Sequence, residues 1–301
     1  MKKEKRIKIR KNTPICVMSH HKDGVTRAFS TGCSGVIMSV DEVMSMESIK
    51  SPIVIRGLRN MTLLKPIIES KNIDFYFIDT GYFGNYPKKK FHRVTKNATQ
   101  QVILNSKRGS ERLDLIGDLK VLRWKKKGKK ILLCPPSAKS ILYYYGERRL
   151  RKKYKGSPQL AVKMWTDSTI KKLSKHTSRP IEIREKPRDK VQRYWKDPFR
   201  ERVLDDIFAT VTFNSIVAVE SIINGVPAFV CAENAAKPVA KMDLTEIEDP
   251  AYFKRKKWLR SLSYCQFTAD EMASGLAWSI LTNDRSERTI KVTKRKKSML
   301  K

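Results

Sequence analysis

Three short stretches carry side chains able to do chemistry, and each falls where a strand hands over to the next element. In Thr212-Phe213-Asn214-Ser215, hydroxyls and an amide stand just ahead of a helical run. The N–H groups that open a helix, at Ser215 to Val217, have no partner within the helix, and the helix dipole adds partial positive charge there. Thr212, Asn214 and Ser215 would complete a small cradle for an oxyanion such as phosphate, or simply cap the helix. In Asp79-Thr80-Gly81-Tyr82 a carboxylate ends a strand beside a glycine turn. It is placed either to cap that turn or to serve as a general base toward a hydroxyl. His20, His21 and Asp23 follow the first strand. Neighbours on a strand point to opposite faces and no His-x-x-x-His spacing is present, so no metal site is expected, and Asp23 stands as the second candidate base.

The elements that would position these groups read as alternating strands and helices. Ile207 to Phe213 is a short apolar, β-branched run, and Ile216 to Ile223 carries apolar residues at helical spacing. Asn224-Gly225 then stops the helix, Pro227 prevents its resumption, and Ala228 to Cys231 is the next strand: a parallel βαβ unit. Upstream, Thr13 to Ser19, Ser51 to Ile55 and Phe75 to Ile78 are strands, with a helix running through Ile68 and a loop from His20 to Gly35. Ile131 to Cys134 and Ile181 to Ile183 are strands of a second half, with Trp165 to Lys175 helical between them. The expected fold is α/β, with two Rossmann-like domains divided near the charged turn Lys125 to Lys130. Residues 1–126 form the first domain and 127–284 the second, which ends in a Trp-rich helix from Phe253 to Leu281; residues 285–301 are a basic tail.

Charge is the outlying property. Among 301 residues, 64 Lys and Arg face 30 Asp and Glu, a formal net charge of +34. Solubility needs far less, so the excess points to a polyanion, with nucleic acid first and an anionic membrane or polysaccharide second. The basic residues concentrate in the arm 1–12, in Gly146 to Ser157 (GERRLRKKYKGS), read as an insertion, and in the tail. Lys88 to Lys96 (KKKFHRVTK) interleaves cations with rings, as single-strand binding surfaces do. Arg56, Arg59, Tyr82, His92, Arg93 and Lys96 are accordingly the candidate acceptor or nucleic-acid contacts. There is no apolar run near 18 residues, so no membrane span is expected. The five cysteines show no Cys-x-x-Cys spacing, which fits reduced thiols and a cytoplasmic setting. No GxxxxGK[ST] phosphate loop, dinucleotide fingerprint or strand-flanked Asp-x-Asp is present.

The run NSIVAVESIINGVPAFV resembles the phosphate-binding turn of GT-B-type glycosyltransferases of the capsular-polysaccharide and sialyltransferase-like kind. The downstream DLTEIEDPAYFKRKKWLRSLSYCQFTADEMASGLAW is similar to the C-terminal end of glycosyltransferase-like proteins of large tailed phages. The likeness covers roughly the last hundred residues. It implies an inverting, metal-independent transferase without a cofactor, using a UDP- or CMP-linked nucleotide-sugar as donor. Donor phosphates would lie on the Asn214-Ser215 turn and on Lys186 and Arg188, with Lys186 standing where the family usually has His. Glu220 would bond the donor ribose or remain a surface carboxylate, and a C-terminal helix would cross back to the first domain. With the charge, the phage likeness implies a DNA acceptor, a hydroxymethyl- or hydroxy-pyrimidine, in the host cytoplasm. The alternatives are a surface or capsular glycan acceptor, and a non-catalytic nucleic-acid-binding protein with an α/β core. Oligomeric state is left open.

Overall fold

A computed structural model describes residues 12–85, 90–105, 107–117, 119–185 and 204–282. Its strands are β1 (Ile15–Val17), β2 (Val36–Met38), β3 (Ile53–Arg56), β4 (Phe75–Thr80), β5 (His92–Lys96), β6 (Lys130–Cys134), β7 (Ile181–Ile183), β8 (Ile207–Thr212), β9 (Ala228–Val230) and β10 (Gln266–Phe267). The helices are α1 (Gly24–Gly32), α2 (Val40–Met44), α3 (Gly57–Lys71), α4 (Glu111–Leu115), α5 (Ala138–Tyr154), α6 (Pro158–Leu173), α7 (Val217–Ile223), α8 (Lys256–Ser263), α9 (Ala269–Ala273) and α10 (Leu276–Thr282). Two sheets result, in the orders β10-β5-β4-β3-β1-β2 and β7-β6-β8-β9. Every pairing is parallel except those of β5, which runs antiparallel to β4 and to β10.

Burial explains the strand sequences. All six residues of β8, Ile-Phe-Ala-Thr-Val-Thr, are buried, as a central strand of a parallel sheet covered on both faces requires. The edge strand β7, which pairs with β6, is half-buried to exposed and correspondingly mixed in composition. Between β8 and β9, α7 buries Ala218, Val219, Ile222 and Ile223. The chain then turns at Gly225, with φ +80°, where a Cβ would run into the Arg123 carbonyl, so only glycine fits.

The stretch expected to be a loop after β1 holds α1 instead. Asp23 is its N-cap, accepting from Thr26 N at 3.1 Å and from the Thr26 hydroxyl at 2.7 Å. The chain's return to the first sheet packs on this helix: a Cβ at Gly32 would collide with the carbonyl of Met272 and the backbone of Gly275. The return itself differs from the single Trp-rich helix expected. It is α8, a two-residue strand β10 added to the edge of β5, and the short helices α9 and α10. Arg112 on α4 clamps this segment, donating to the Gln266 carbonyl (2.9 Å) and to both carboxylate oxygens of Glu271 (2.7 and 3.1 Å). The basic insertion is also helical. It forms the last turns of α5, set off by a break at Gly146 (φ 70°, ψ 160°), because Arg and Lys are good helix formers.

Two α/β units with mostly parallel sheets, tied by C-terminal elements that return to the first, are the GT-B-like architecture expected. Among the described residues no helix is long and apolar enough to cross a membrane.

Candidate functional site at the seam of the two sheets

The two units meet where their strands end. Tyr82 and Phe83, just past β4, are buried in one apolar cluster with Ala218 and Val219 of α7 and with Trp258 and Leu259 of α8. The buried side chain of Gln266 fixes this corner: its Oε1 accepts from Tyr82 N (2.8 Å) and Phe83 N (3.3 Å), and its Nε2 donates to Phe83 O (3.2 Å). The chain after β5 turns at Asn97 and folds back to the same corner, where Gln101 N donates to the Tyr82 hydroxyl at 2.8 Å. Burial pushes the Tyr82 phenol well above its ordinary range.

Gln100 then spans the seam. Its Nε2 donates to the carbonyl of Asn214, just past β8, at 2.9 Å, and its N–H to Glu233 Oε1, just past β9, at 3.3 Å. The Gln100 side chain is buried, yet its Oε1 has no hydrogen-bond partner among the described residues. Across the seam Thr99 Oγ1 lies 3.3 Å from the Tyr144 hydroxyl on α5. Lys65 on α3 donates to the Tyr143 carbonyl at 3.4 Å. Burial raises the Glu233 carboxyl above the usual carboxylate range, against the pull of the backbone N–H groups of Gln100 and Thr99 and of the cations Lys65 and Arg93.

The turn after β8 is more occupied than its sequence implies. The Thr212 hydroxyl donates to Cys134 O (3.0 Å) and accepts from Ser215 N (3.3 Å), while Ser215 Oγ accepts from Val217 N at 3.3 Å. Two of the three N–H groups expected to be open are thus engaged by long bonds, leaving that of Ile216. Asn234 donates to Ser215 O at 2.9 Å, which ties the loop bearing Glu233 to the turn. Glu220 is half-buried on α7, on the second unit. Lys186 and Arg188 lie outside the described residues.

The first unit sorts its candidates differently. Asp79 is about one-third exposed; its Oδ1 accepts from Thr80 N (2.7 Å) and its Oδ2 from Arg93 (3.1 Å). Arg93 also donates to Thr80 O (2.9 Å) and Thr99 O (3.3 Å), so its guanidinium is a brace under the seam. Tyr82, His92 and Arg93 are all buried, contrary to their expected place on an acceptor surface. The cause is β10, which pairs His92 with Phe267 and Arg93 with Gln266 and so turns an expected edge into an interior. Lys96 sits at the opposite end of β5, 3.5 Å from Asp74. Arg59 is exposed on the first turn of α3. Asp23 is fully buried, paired with Arg56 and bonded to Thr26, and these contacts hold its carboxyl below the usual range despite burial. A carboxylate so paired is a structural anchor and a weak base.

The structure therefore brings Asp79, Arg93, Tyr82, Asn214 and Ser215 to one seam, locks Asp23 into its pair with Arg56, and puts Lys96 at the far end of β5. Sequence reading passed over Gln100, Tyr144 and Glu233. Glu233 was open to the rule that drew attention to Asp79, since it follows the C-terminal end of a parallel strand.

No protein-family model matches the chain, and no curated protein matches it. Among solved structures the chain is similar to two of KpsC from Thermosulfurimonas dismutans. For the one described as a beta Kdo 2,7 transferase, identity is 10% over 88% of this chain and 98% of that one, with a TM-score of 0.47. For the beta Kdo 2,4 transferase, identity is 12% over 86% and 93%, with a TM-score of 0.46.

Proposed function

We propose that the chain moves a sugar from a nucleotide-sugar, bound in the seam, to a hydroxyl on a nucleic acid, a hydroxymethyl- or hydroxy-pyrimidine of DNA. The observation that carries the donor half is Gln100, a buried amide that joins both units and keeps an unsatisfied acceptor, Oε1, beside Asn214 and Glu233. Native interiors rarely leave such an atom unpaired, and a sugar or ribose hydroxyl would satisfy it. Donor phosphate would take the Ile216 N–H and the Ser215 hydroxyl, replacing the long bonds inside that turn, with Lys186 and Arg188 as further cations. The leaving phosphate is then stabilised by fixed donors and positive charge, without a metal being required of the protein.

Charge supports the acceptor half. Beyond the net +34, the end of α5 exposes Arg148, Arg151, Lys152, Lys153 and Lys155 within eight residues that contain no acid, Glu147 lying just before them. Such a surface holds a phosphate backbone whatever its sequence, and a duplex base would have to be flipped out to reach the seam.

The test is mass spectrometry of nucleosides after the protein is incubated with UDP- and CMP-sugars and hydroxymethylated DNA. A glycosylated pyrimidine is expected. Transfer to an acidic glycan but never to DNA would replace the acceptor. Stabilisation by DNA without any effect of nucleotide would leave only a binding protein.

A further inference from the structure

Transfer to a hydroxyl needs a group to take its proton, and two carboxylates border the seam. Asp79 is the weaker choice on geometry, because Arg93 and the Thr80 N–H already hold its two oxygens. Glu233 is placed otherwise. It stands three residues beyond β9, on a loop tied to the phosphate turn through Asn234 and to the first unit through Gln100. The Gln100 N–H holds Glu233 Oε1 at 3.3 Å, and the side-chain Oε1 of that same Gln100 has no hydrogen-bond partner among the described residues.

We propose that Glu233 is the catalytic base, accepting the proton of the acceptor hydroxyl as that oxygen attacks the sugar. This rests on the transfer reading above. In the step, the acceptor oxygen bonds to the anomeric carbon and the bond from that carbon to the phosphate oxygen breaks. The electron pair leaves with the nucleotide, and the hydroxyl proton moves to a Glu233 carboxylate oxygen. Gln100 is the positioning residue: its N–H holds one Glu233 oxygen, and its free Oε1 receives a sugar hydroxyl.

Burial makes this carboxylate more basic than an exposed one, which suits the task. The groups coupled to it electrostatically are the cations Lys65 from α3 and Arg93 from β5, and the phenols of Tyr143 and Tyr144 from α5 and of Tyr82 past β4. The two cations oppose the rise, and the phenols stay neutral through the pH range of the assay. An acidic limb in the rate profile would therefore report Glu233.

The experiment measures nucleotide affinity and single-turnover transfer against pH for wild type, Glu233→Gln, Glu233→Asp and Asp79→Asn. Loss of a general base costs about 10²–10⁴-fold in rate. Glu233→Gln should lose at least a hundredfold, lose the acidic limb, and bind nucleotide as wild type does. Glu233→Asp should keep the limb at reduced rate, which a merely structural role would not predict. If Glu233→Gln stays within about threefold of wild type, or if Asp79→Asn is the variant that loses the limb, the assignment falls while the transfer reading stands. If wild type binds nucleotide-sugar but transfers to no acceptor, or binds none, the transfer reading falls and takes this assignment with it.

Discussion

Asp23 and Glu233 occupy equivalent places, each in the segment that follows a parallel strand, β1 in one unit and β9 in the other. Asp23 is surrounded by donors: the Arg56 guanidinium, the Thr26 hydroxyl and N–H, and Ser19 N at 3.4 Å. Its carboxyl is held low, and its free energy goes into anchoring α1. Glu233 is half-buried, accepts from the Gln100 N–H at 3.3 Å and has no ion pair among the described residues, and its carboxyl is pushed up by burial. Position at a strand end is shared by both; the count and charge of neighbouring donors separates an anchor from a reactive group.

That contrast can be broken most forcefully at Asp23. Asp23→Ala removes a helix cap and one partner of a buried ion pair, a loss of about 3–5 kcal/mol, read as a fall in the denaturant midpoint. The pH dependence has a definite sign. Since the folded carboxyl lies below its unfolded value, the contribution is present at neutral pH and disappears as pH falls through that lowered value. A wild type that loses nothing as pH drops below the ordinary carboxylate range would contradict the anchor role.

A smaller effect is expected at the turn. Ser215→Ala removes the hydroxyl that accepts from Val217 N, for about 1 kcal/mol of stability. Thermal unfolding of this variant without nucleotide isolates that share.

The basic end of α5 sharpens the comparison from outside the seam. Changing Arg151, Lys152 and Lys153 to Ala should leave stability within about 0.5 kcal/mol, since all are exposed. It should flatten the salt dependence of DNA affinity by a log–log slope of about 0.9 for each phosphate no longer neutralised. An unchanged slope from fluorescence anisotropy would remove this helix from the acceptor surface.

The least disruptive change is Glu233→Gln read as stability. A carboxyl whose folded value is raised costs stability where it must ionise, so the amide should raise the melting temperature at neutral pH. The difference should close below the unfolded carboxylate range, where both side chains are neutral. Calorimetric scans at acid and neutral pH would show it.

The legible parts of the chain were those fixed by local pattern. In residues 207–230 a β-branched run, a helical period and Gly225 agree, and β8, α7 and β9 stand there. What local pattern could not carry was set by partners far along the chain. The segment Gly-Val-Thr-Arg-Ala-Phe-Ser-Thr-Gly has little helical propensity of its own, and α1 forms because Asp23 caps it and the returning segment packs against Gly32. The basic-aromatic pattern around His92 and Arg93 reads as an open surface until β10, from far along the chain, covers it. Glu233 reads as a loop acid because the residue that meets it, Gln100, sits 133 positions away.

The central claim, that the seam holds the donor, is tested most directly by calorimetric titration of UDP and CMP into three proteins. These are wild type, Ser215→Ala, and Asp23→Asn, which keeps an N-cap while discharging the anchor. The account predicts saturable binding of one nucleotide to wild type, weakened about five- to thirtyfold in Ser215→Ala because a hydroxyl hydrogen bond worth about 1–2 kcal/mol is removed. Folded Asp23→Asn should bind as wild type does. Absence of nucleotide binding to wild type, or equal affinity in wild type and Ser215→Ala, would contradict it.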